Sequence, residues 1–280
     1  MVPKESKLAE MLNGYSFVID ELGESSAKVY RCHKNDETFY LKIAAADKTF
    51  KCEYQMLTWL DGKLPVPKIK YWHEQDGLAY LLMTEAPGKL ALDYPKDKLR
   101  KPYKNTIKAM AEGLLILQSI DIKNCPFHYP LDTKLANMLY NIENNLVDMD
   151  EWYERTGFET PMDLYSWLIS NKPSEEICFA HDVYTPENIF TDNNKLACII
   201  DVGDCGLADK WKDIALCVRS IKIHLGNMEQ EDVNKHVALL FDYLGVEPDW
   251  NKHVALLFDY LGVEPDWIKI KYYTLLDELC

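Results

Sequence analysis

Two apolar runs, each ending in polar residues at a fixed spacing, constrain this chain more than any other feature. The first is Cys178-Phe-Ala-His-Asp-Val-Tyr-Thr-Pro-Glu-Asn-Ile-Phe190. The second, Ile199-Ile-Asp-Val-Gly-Asp204, follows closely. Together they give His181, Asp182 beside it, Asn188 seven residues after the His, and then an apolar strand that ends on Asp201.

That layout fits a phosphoryl-transfer loop of the kinase type, H-R-D-L-x-x-x-N. There the Asp accepts the proton of the attacking hydroxyl, the Asn holds Mg²⁺, and a later Asp holds the metal bridging the ATP phosphates. His181, Asn188 and Asp201 fall in register. The base position falls on Val183, which takes no proton, and the nearest carboxylate is Asp182, one position early.

Composition bounds the class. At 280 residues with 48% hydrophobic content, the chain can form one large domain or two lobes. With 45 acidic against 31 basic residues, a formal charge of −14 argues against a nucleic-acid surface and suits a cationic ligand. Eight scattered cysteines form no C-x-x-C pair, which predicts free thiols in a reducing cytoplasm and no structural zinc. The N-terminus lacks the apolar core of a signal peptide and no run is long enough to span a membrane, so a soluble, cytoplasmic protein is expected.

From the N-terminus, β-rich runs over Tyr15–Ile19, Ala27–Cys32 and Thr38–Ile43 predict an antiparallel meander, its first turn at Gly23–Ser26. Lys42 interrupts an apolar strand. The next segment, Lys48 to Leu60, reads as a helix stopped at Gly62, with Glu53 in its middle turn. A lysine on the third strand that binds phosphates and pairs with a glutamate on the next helix is a kinase feature. The strand Ala79–Met83 runs into Thr84-Glu-Ala-Pro-Gly88, where a small lobe would hand over to a larger one. Helical stripes follow at Ile107, Met110, Leu114 and Leu117, then at Leu135, Met138, Leu139, Ile142 and Leu146. Thr160 and Pro161 predict a further helix start, and Ile214, Val218 and Ile221 mark another apolar face.

Residues 234–250 and 251–267 are identical in sequence. Two copies do not make a solenoid. The unit reads as a short amphipathic helix stopped at Gly245 or Gly262 and followed by a Pro-containing turn. Only one copy can fill the place a single unit would occupy; the other must pack elsewhere, extend the surface or expose Leu239, Leu240 and Phe241 for self-association.

Three longer stretches carry a family likeness: Gly62-Lys-Leu-Pro-Val-Pro-Lys68, Gly206-Leu-Ala-Asp-Lys-Trp-Lys-Asp-Ile-Ala215, and Lys269-Ile-Lys-Tyr-Tyr-Thr-Leu-Leu-Asp-Glu-Leu279. Through them the chain resembles the aminoglycoside 3'-phosphotransferases, from Ala27 to the C-terminus. The resemblance implies an α+β, bilobal protein-kinase-like fold: a small N-terminal antiparallel-sheet lobe with one helix, and a larger, mainly helical C-terminal lobe. Residues 1–86 would be the nucleotide-binding lobe and 87–280 the catalytic and aminoglycoside-binding lobe. It implies transfer of the γ-phosphate of ATP, with Mg²⁺, to the 3'-hydroxyl of a kanamycin- or neomycin-type antibiotic by a monomer or weak homodimer.

Carried over by position, Tyr40 would stack on adenine beside Met83, Thr84 and Ala86, Ser25 would line the phosphates, and Lys42 with Glu53 would orient them. Asn188 and Asp201 would hold Mg²⁺. Asp277, Glu278 and the terminal carboxylate of Cys280 would bind drug ammonium groups, with Glu154 and Glu187 as further candidates. The family's H-G-D is His181-Asp182-Val183 here, and its D-x-G-R carries Asp204 in place of arginine. Two readings follow: a kinase in which Asp182 substitutes as base, or a kinase fold that binds Mg·ATP, with or without the drug, and does not turn over.

Overall fold

A computed structural model describes residues 7–20, 27–91, 103–230 and 257–279. Ser25, Cys280, the first copy of the repeat and the opening of the second lie outside them. The chain divides into two compact units, residues 1–88 with 197–204, and residues 89–196 with 205–280.

The first unit is a five-stranded antiparallel sheet in the order β1-β2-β3-β5-β4: β1 Ser16–Asp20, β2 Lys28–Lys34, β3 Glu37–Ala45, β4 Ile69–Gln75 and β5 Leu78–Thr84. Side chains alternate across it. Leu41 and Ile43 of β3 join Cys32, Tyr80 and Leu82 in a core cluster with Leu8, from the short helix α1 (Lys7–Met11), and Leu12 just beyond it. Lys42 therefore points to the other face. There the helix α2 (Lys48–Leu60) buries Phe50, Met56, Leu57 and Leu60. Tyr54 of α2 stacks on Trp72 of β4 with ring centroids 4.5 Å apart. The helix starts where Asp47 accepts the Phe50 N–H at 2.9 Å and stops before Gly62, whose φ of 77° suits glycine.

The second unit is mainly helical. The stripe predicted on α3 (Tyr103–Ser119) is its buried face, with Ile107, Met110, Leu114 and Leu117 each 1% exposed. Helices α4 (Leu131–Glu143), α5 (Trp152–Thr156), α6 (Pro161–Ser170), α7 (Lys210–Gln230) and the C-terminal Trp267–Asp277 complete it. Thr160 caps α6 in a reciprocal box with Asp163, and Pro161 opens the helix. One expectation is corrected. Leu146 is 60% exposed, because α4 ends at Glu143 and Asn145 turns the chain at a φ of 54°, so the apolar period runs past the helix that would use it.

Two short antiparallel pairs bring the loop residues to their places: β7 (Ile177–Ala180) with β10 (Gly206–Asp209), and β6 (Lys89–Leu90) with β8 (Ile189–Asp192). The strand β9 (Lys195–Ile199) follows β8 and ends two residues before Asp201. Seven cysteines in the described residues are free thiols, and Cys32, Cys198, Cys205 and Cys217 are buried. No helix among the described residues is long and apolar enough to cross a membrane.

Candidate active site

In the first unit the predicted lysine and glutamate meet. Lys42 Nζ donates to Glu53 Oε1 at 2.6 Å, with the side chains 20% and 11% exposed. The pair follows from the fold: β3 turns Lys42 toward α2, and the helical period puts Glu53 on the buried face of α2 with Phe50 and Leu57. The segment after β9 lies against it. A Cβ built on Gly203 would stand 3.6 Å from Glu53 Cβ, and the Ile199 N–H donates to Pro65 O at 2.8 Å. Asp201 begins this segment with a φ of 60° and an exposed side chain. A left-handed aspartate costs backbone energy, and such strain is commonest where a side chain must be aimed.

Tyr40 sits directly across the sheet from Met83. The Thr84 N–H donates to Lys68 O at 3.0 Å, and the Thr84 hydroxyl accepts the Lys68 N–H at 2.9 Å. Thr84 thus closes the β5 ladder. Glu85 and Ala86 lie beyond it.

In the second unit the loop after β7 is clamped from beneath by Asp213 of α7. Its two oxygens accept the N–H of His181 at 2.7 Å and of Asp182 at 2.9 Å. Burial pushes the Asp213 carboxyl up, only partly offset by His181 and these N–H bonds. Asp182 adopts a φ of 79°, and Lys212 Nζ stands 2.8 Å from its carboxylate, which Lys134 also contacts. Burial pushes the Asp182 carboxyl up, but Lys212 and Lys134 outweigh it and hold the group below the usual aspartate range. Val183, at the position where the motif places a base, is 41% exposed.

Asn188 ends a 3-10 turn (Pro186–Asn188), and its amide nitrogen donates to Val183 O at 3.1 Å. Asn188 in the second unit and Asp201 in the first each carry a hard oxygen of the kind Mg²⁺ prefers. Among the described residues no three His, Cys, Asp or Glu side chains cluster as a metal site.

Asp277 and Glu278 of the acidic tail are held in ion pairs. Arg219 of α7 reaches Asp277 at 2.8 Å and Glu278 at 3.5 Å, and Arg155 of α5 reaches Glu278 at 3.6 Å. Asn141 donates to Leu279 O at 3.1 Å. Glu154 is exposed beside Arg155, and Glu187 lies in the 3-10 turn with Asn188.

Residues 19–250 match the model of the phosphotransferase enzyme family, APH. The chain is 40% identical over 282 residues to the aminoglycoside 3'-phosphotransferase of Enterococcus faecalis, across 98% of this chain and 97% of that one. The chain belongs to the aminoglycoside phosphotransferase family of enzymes. Its α+β fold is protein-kinase-like, as the sequence predicts. A crystal structure of the type VIII aminoglycoside-3'-phosphotransferase matches with a TM-score of 0.73 at 24% identity, over 98% of this chain and 96% of that one. An aminoglycoside phosphotransferase of Streptomyces rimosus, solved with ADP and streptomycin, matches with a TM-score of 0.70 at 19% identity, over 95% and 92%.

Against that family frame, the sequence reading missed Lys134, Lys212, Asp213, Arg155 and Arg219. A signal for two of them was present. Lys212 and Asp213 are charged residues directly ahead of the uninterrupted apolar run Ile214–Val218, where a turn of α7 must be buried on all sides.

Proposed function

We propose that this chain phosphorylates the 3'-hydroxyl of kanamycin- or neomycin-type aminoglycosides with Mg·ATP, and so confers resistance to them. The observation that carries the reading is the largely buried Lys42–Glu53 pair on β3 and α2. A lysine fixed there is set to neutralise phosphate charge. Support comes also from the Enterococcus faecalis relative and from the Streptomyces rimosus neighbour with ADP and streptomycin.

In this reading residues 1–86 bind the nucleotide, with Tyr40, Met83, Thr84 and Ala86 around adenine, Ser25 near the phosphates and Lys42 with Glu53 orienting them. Asn188 and Asp201 would hold Mg²⁺, which screens phosphate charge when bound. Residues 87–280 carry the reacting loop and the drug surface, where Asp277, Glu278 and Cys280, aided by Glu154 and Glu187, face ammonium groups. Carboxylates suit a multiply protonated sugar because their hydrogen bonds to it are charge-assisted. Asp182 is the carboxylate of the loop that would take the hydroxyl proton.

A second reading is favoured by one observation: Asp182 is already committed to Lys212 and Lys134, while Val183 holds the base position. The chain would then bind Mg·ATP and drug without turnover. Phosphoryl transfer relies mainly on positioning and electrostatics, so losing the base slows the reaction and spares nucleotide binding.

The test is ADP release with kanamycin, beside calorimetric Mg·ATP binding, on the parent, Asp182→Asn and Val183→Asp. A parent that turns over and an Asp182→Asn variant that binds ATP silently support the kinase with a shifted base. A silent parent that binds Mg·ATP and gains activity through Val183→Asp supports the binder. A parent that binds neither ligand sinks both.

A further inference from the structure

A groove in the second unit uses none of the residues that the phosphotransferase reading assigns. Its volume is about 500 Å³, within the range of small-molecule sites. The floor is one face of α3, where Lys108, Ala111, Glu112, Leu115 and Ile116 recur at the helical period. The core takes a different face, that of Ile107, Met110, Leu114 and Leu117. Ala111 adds little bulk to the floor, and Leu115 is 43% exposed in the middle of the helix. From Lys108 to Ser119, which also lines the groove, is roughly 16 Å at the helical rise.

Two further elements wall it. Asn193 and Asn194, at φ of 48° and 63°, turn the chain between β8 and β9, and a tight hairpin turn of this kind needs two left-handed residues. Lys195 stands directly after that turn and lines the groove. Glu112 ties the hairpin to α3, because its Oε2 accepts the Leu196 N–H at 3.2 Å. Tyr260 comes from the helical turn that ends at Gly262. Two lysines against one glutamate give the lining a charge of +1, in a chain whose formal charge is −14. Among the described residues Lys108 and Lys195 form no ion pair, and the glutamate is engaged with the hairpin backbone.

We propose that this groove binds an elongated apolar acid of the fatty-acid class as a free molecule, its carboxylate toward Lys108 and Lys195 and its chain along Leu115 and Ile116. The lining divides along the helix. Lys108 is one turn before Glu112, whose bond to Leu196 brings Lys195 to the same end, while Leu115 and Ile116 lie a turn further on. A neutral hydrocarbon would leave both lysines without a partner, and a small anion would leave Leu115 in water. An acid with a chain satisfies both ends. An anionic bilayer is the poorer fit, because a chain this acidic is repelled by it.

The experiment is calorimetric titration of the full chain with dodecanoate below its micelle concentration. The proteins are the parent, the double variant Lys108→Met with Lys195→Met, Leu115→Asp and, as a control, Lys123→Met, whose lysine is exposed beyond the end of α3. The parent should bind one equivalent. Exposed ion pairs are individually weak, so the two lysine changes together should cost about tenfold in affinity, a loss that shrinks as salt rises. Leu115→Asp removes apolar contact at an exposed position and adds a charge of the wrong sign, and should cost about tenfold or more. Lys123→Met should match the parent, and urea midpoints establish that each variant is folded. A parent that binds no dodecanoate, or binding that neither the lysine pair nor Leu115→Asp weakens, overturns the proposal. Capture by phosphatidylglycerol vesicles that the lysine pair abolishes, without binding of free dodecanoate, also overturns it, because the occupant would then be a membrane surface.

Discussion

Lys212 holds its Nζ 2.8 Å from the Asp182 carboxylate while only 2% of its side chain is exposed. A lysine this dry keeps its charge only opposite a carboxylate. Lys134 closes on the same oxygen, and Asp213 takes the two N–H groups beneath. Asp182 is therefore a counter-ion in the resting fold, whatever part it takes in turnover.

Removing that counter-ion strands two ammonium groups. Asp182→Asn is expected to cost about 3 kcal/mol in urea unfolding. Lys212→Met should cost less, because Lys134 still partners the carboxylate. An Asp182→Asn protein as stable as the parent would contradict the ion-pair account, and the activity comparison above must be made at a temperature where the variant is folded.

Acid should loosen the junction between the C-terminal helix and α7. Hydrogen bonds from Lys210, Trp211 and Lys269 hold the Glu176 carboxyl down to about 2. A depressed carboxyl contributes stability that is present above its unfolded value of about 4.3, and that contribution is lost as pH falls toward 2. The Glu176 side chain is 52% exposed, so salt weakens the effect. Urea midpoints at pH 6 and pH 3 should therefore lie closer together in Glu176→Gln than in the parent; parallel pH curves for the two proteins would refute this.

A methyl group has no room at Gly113. A Cβ there would stand 2.0 Å from the Tyr184 hydroxyl, which is buried and donates to Met110 O at 2.8 Å. Alanine favours a helix over glycine by about 1 kcal/mol, yet the clash should outweigh it, leaving Gly113→Ala about 2 kcal/mol less stable. A raised thermal midpoint would show that Tyr184 yields without cost.

In the proposed function, a drug ammonium at the tail would compete with Arg219 and Arg155 for Asp277 and Glu278. Paired Asp277→Asn and Glu278→Gln substitutions should weaken kanamycin binding about tenfold or more at low salt and leave Mg·ATP binding unchanged, an electrostatic loss that shrinks as ionic strength rises. Calorimetry separates the two ligands; an equal loss of both would point to damaged packing instead.

Much of the first unit was legible because it is local. The period-2 strand puts Lys42 opposite Leu41 and Ile43, and the next helix supplies Glu53. In the second unit Thr160 and Pro161 likewise mark the helix start that they predict. The charge cage around Asp182 was not legible in the same way. Lys134 and Lys212 lie far from Asp182 in sequence, and a charged residue on a helix reads as solvated until the packing is known. The arginines on the tail fail for the same reason. Nothing near Gly113 in sequence announces the Tyr184 hydroxyl that a Cβ there would meet.

The buried thiols turn each unit into its own stopwatch. Cys32 lies in the core of the first unit, where burial lifts its thiol to about 11, and Cys217 is enclosed in the second, where burial lifts it further. Neither sulfur is reactive while its surroundings are closed, because the thiolate is scarce and the reagent is excluded. Alkylation of native protein, mapped by peptide mass, would therefore record when each unit opens: Cys32 for the sheet, Cys217 for the helices, two clocks started by one addition.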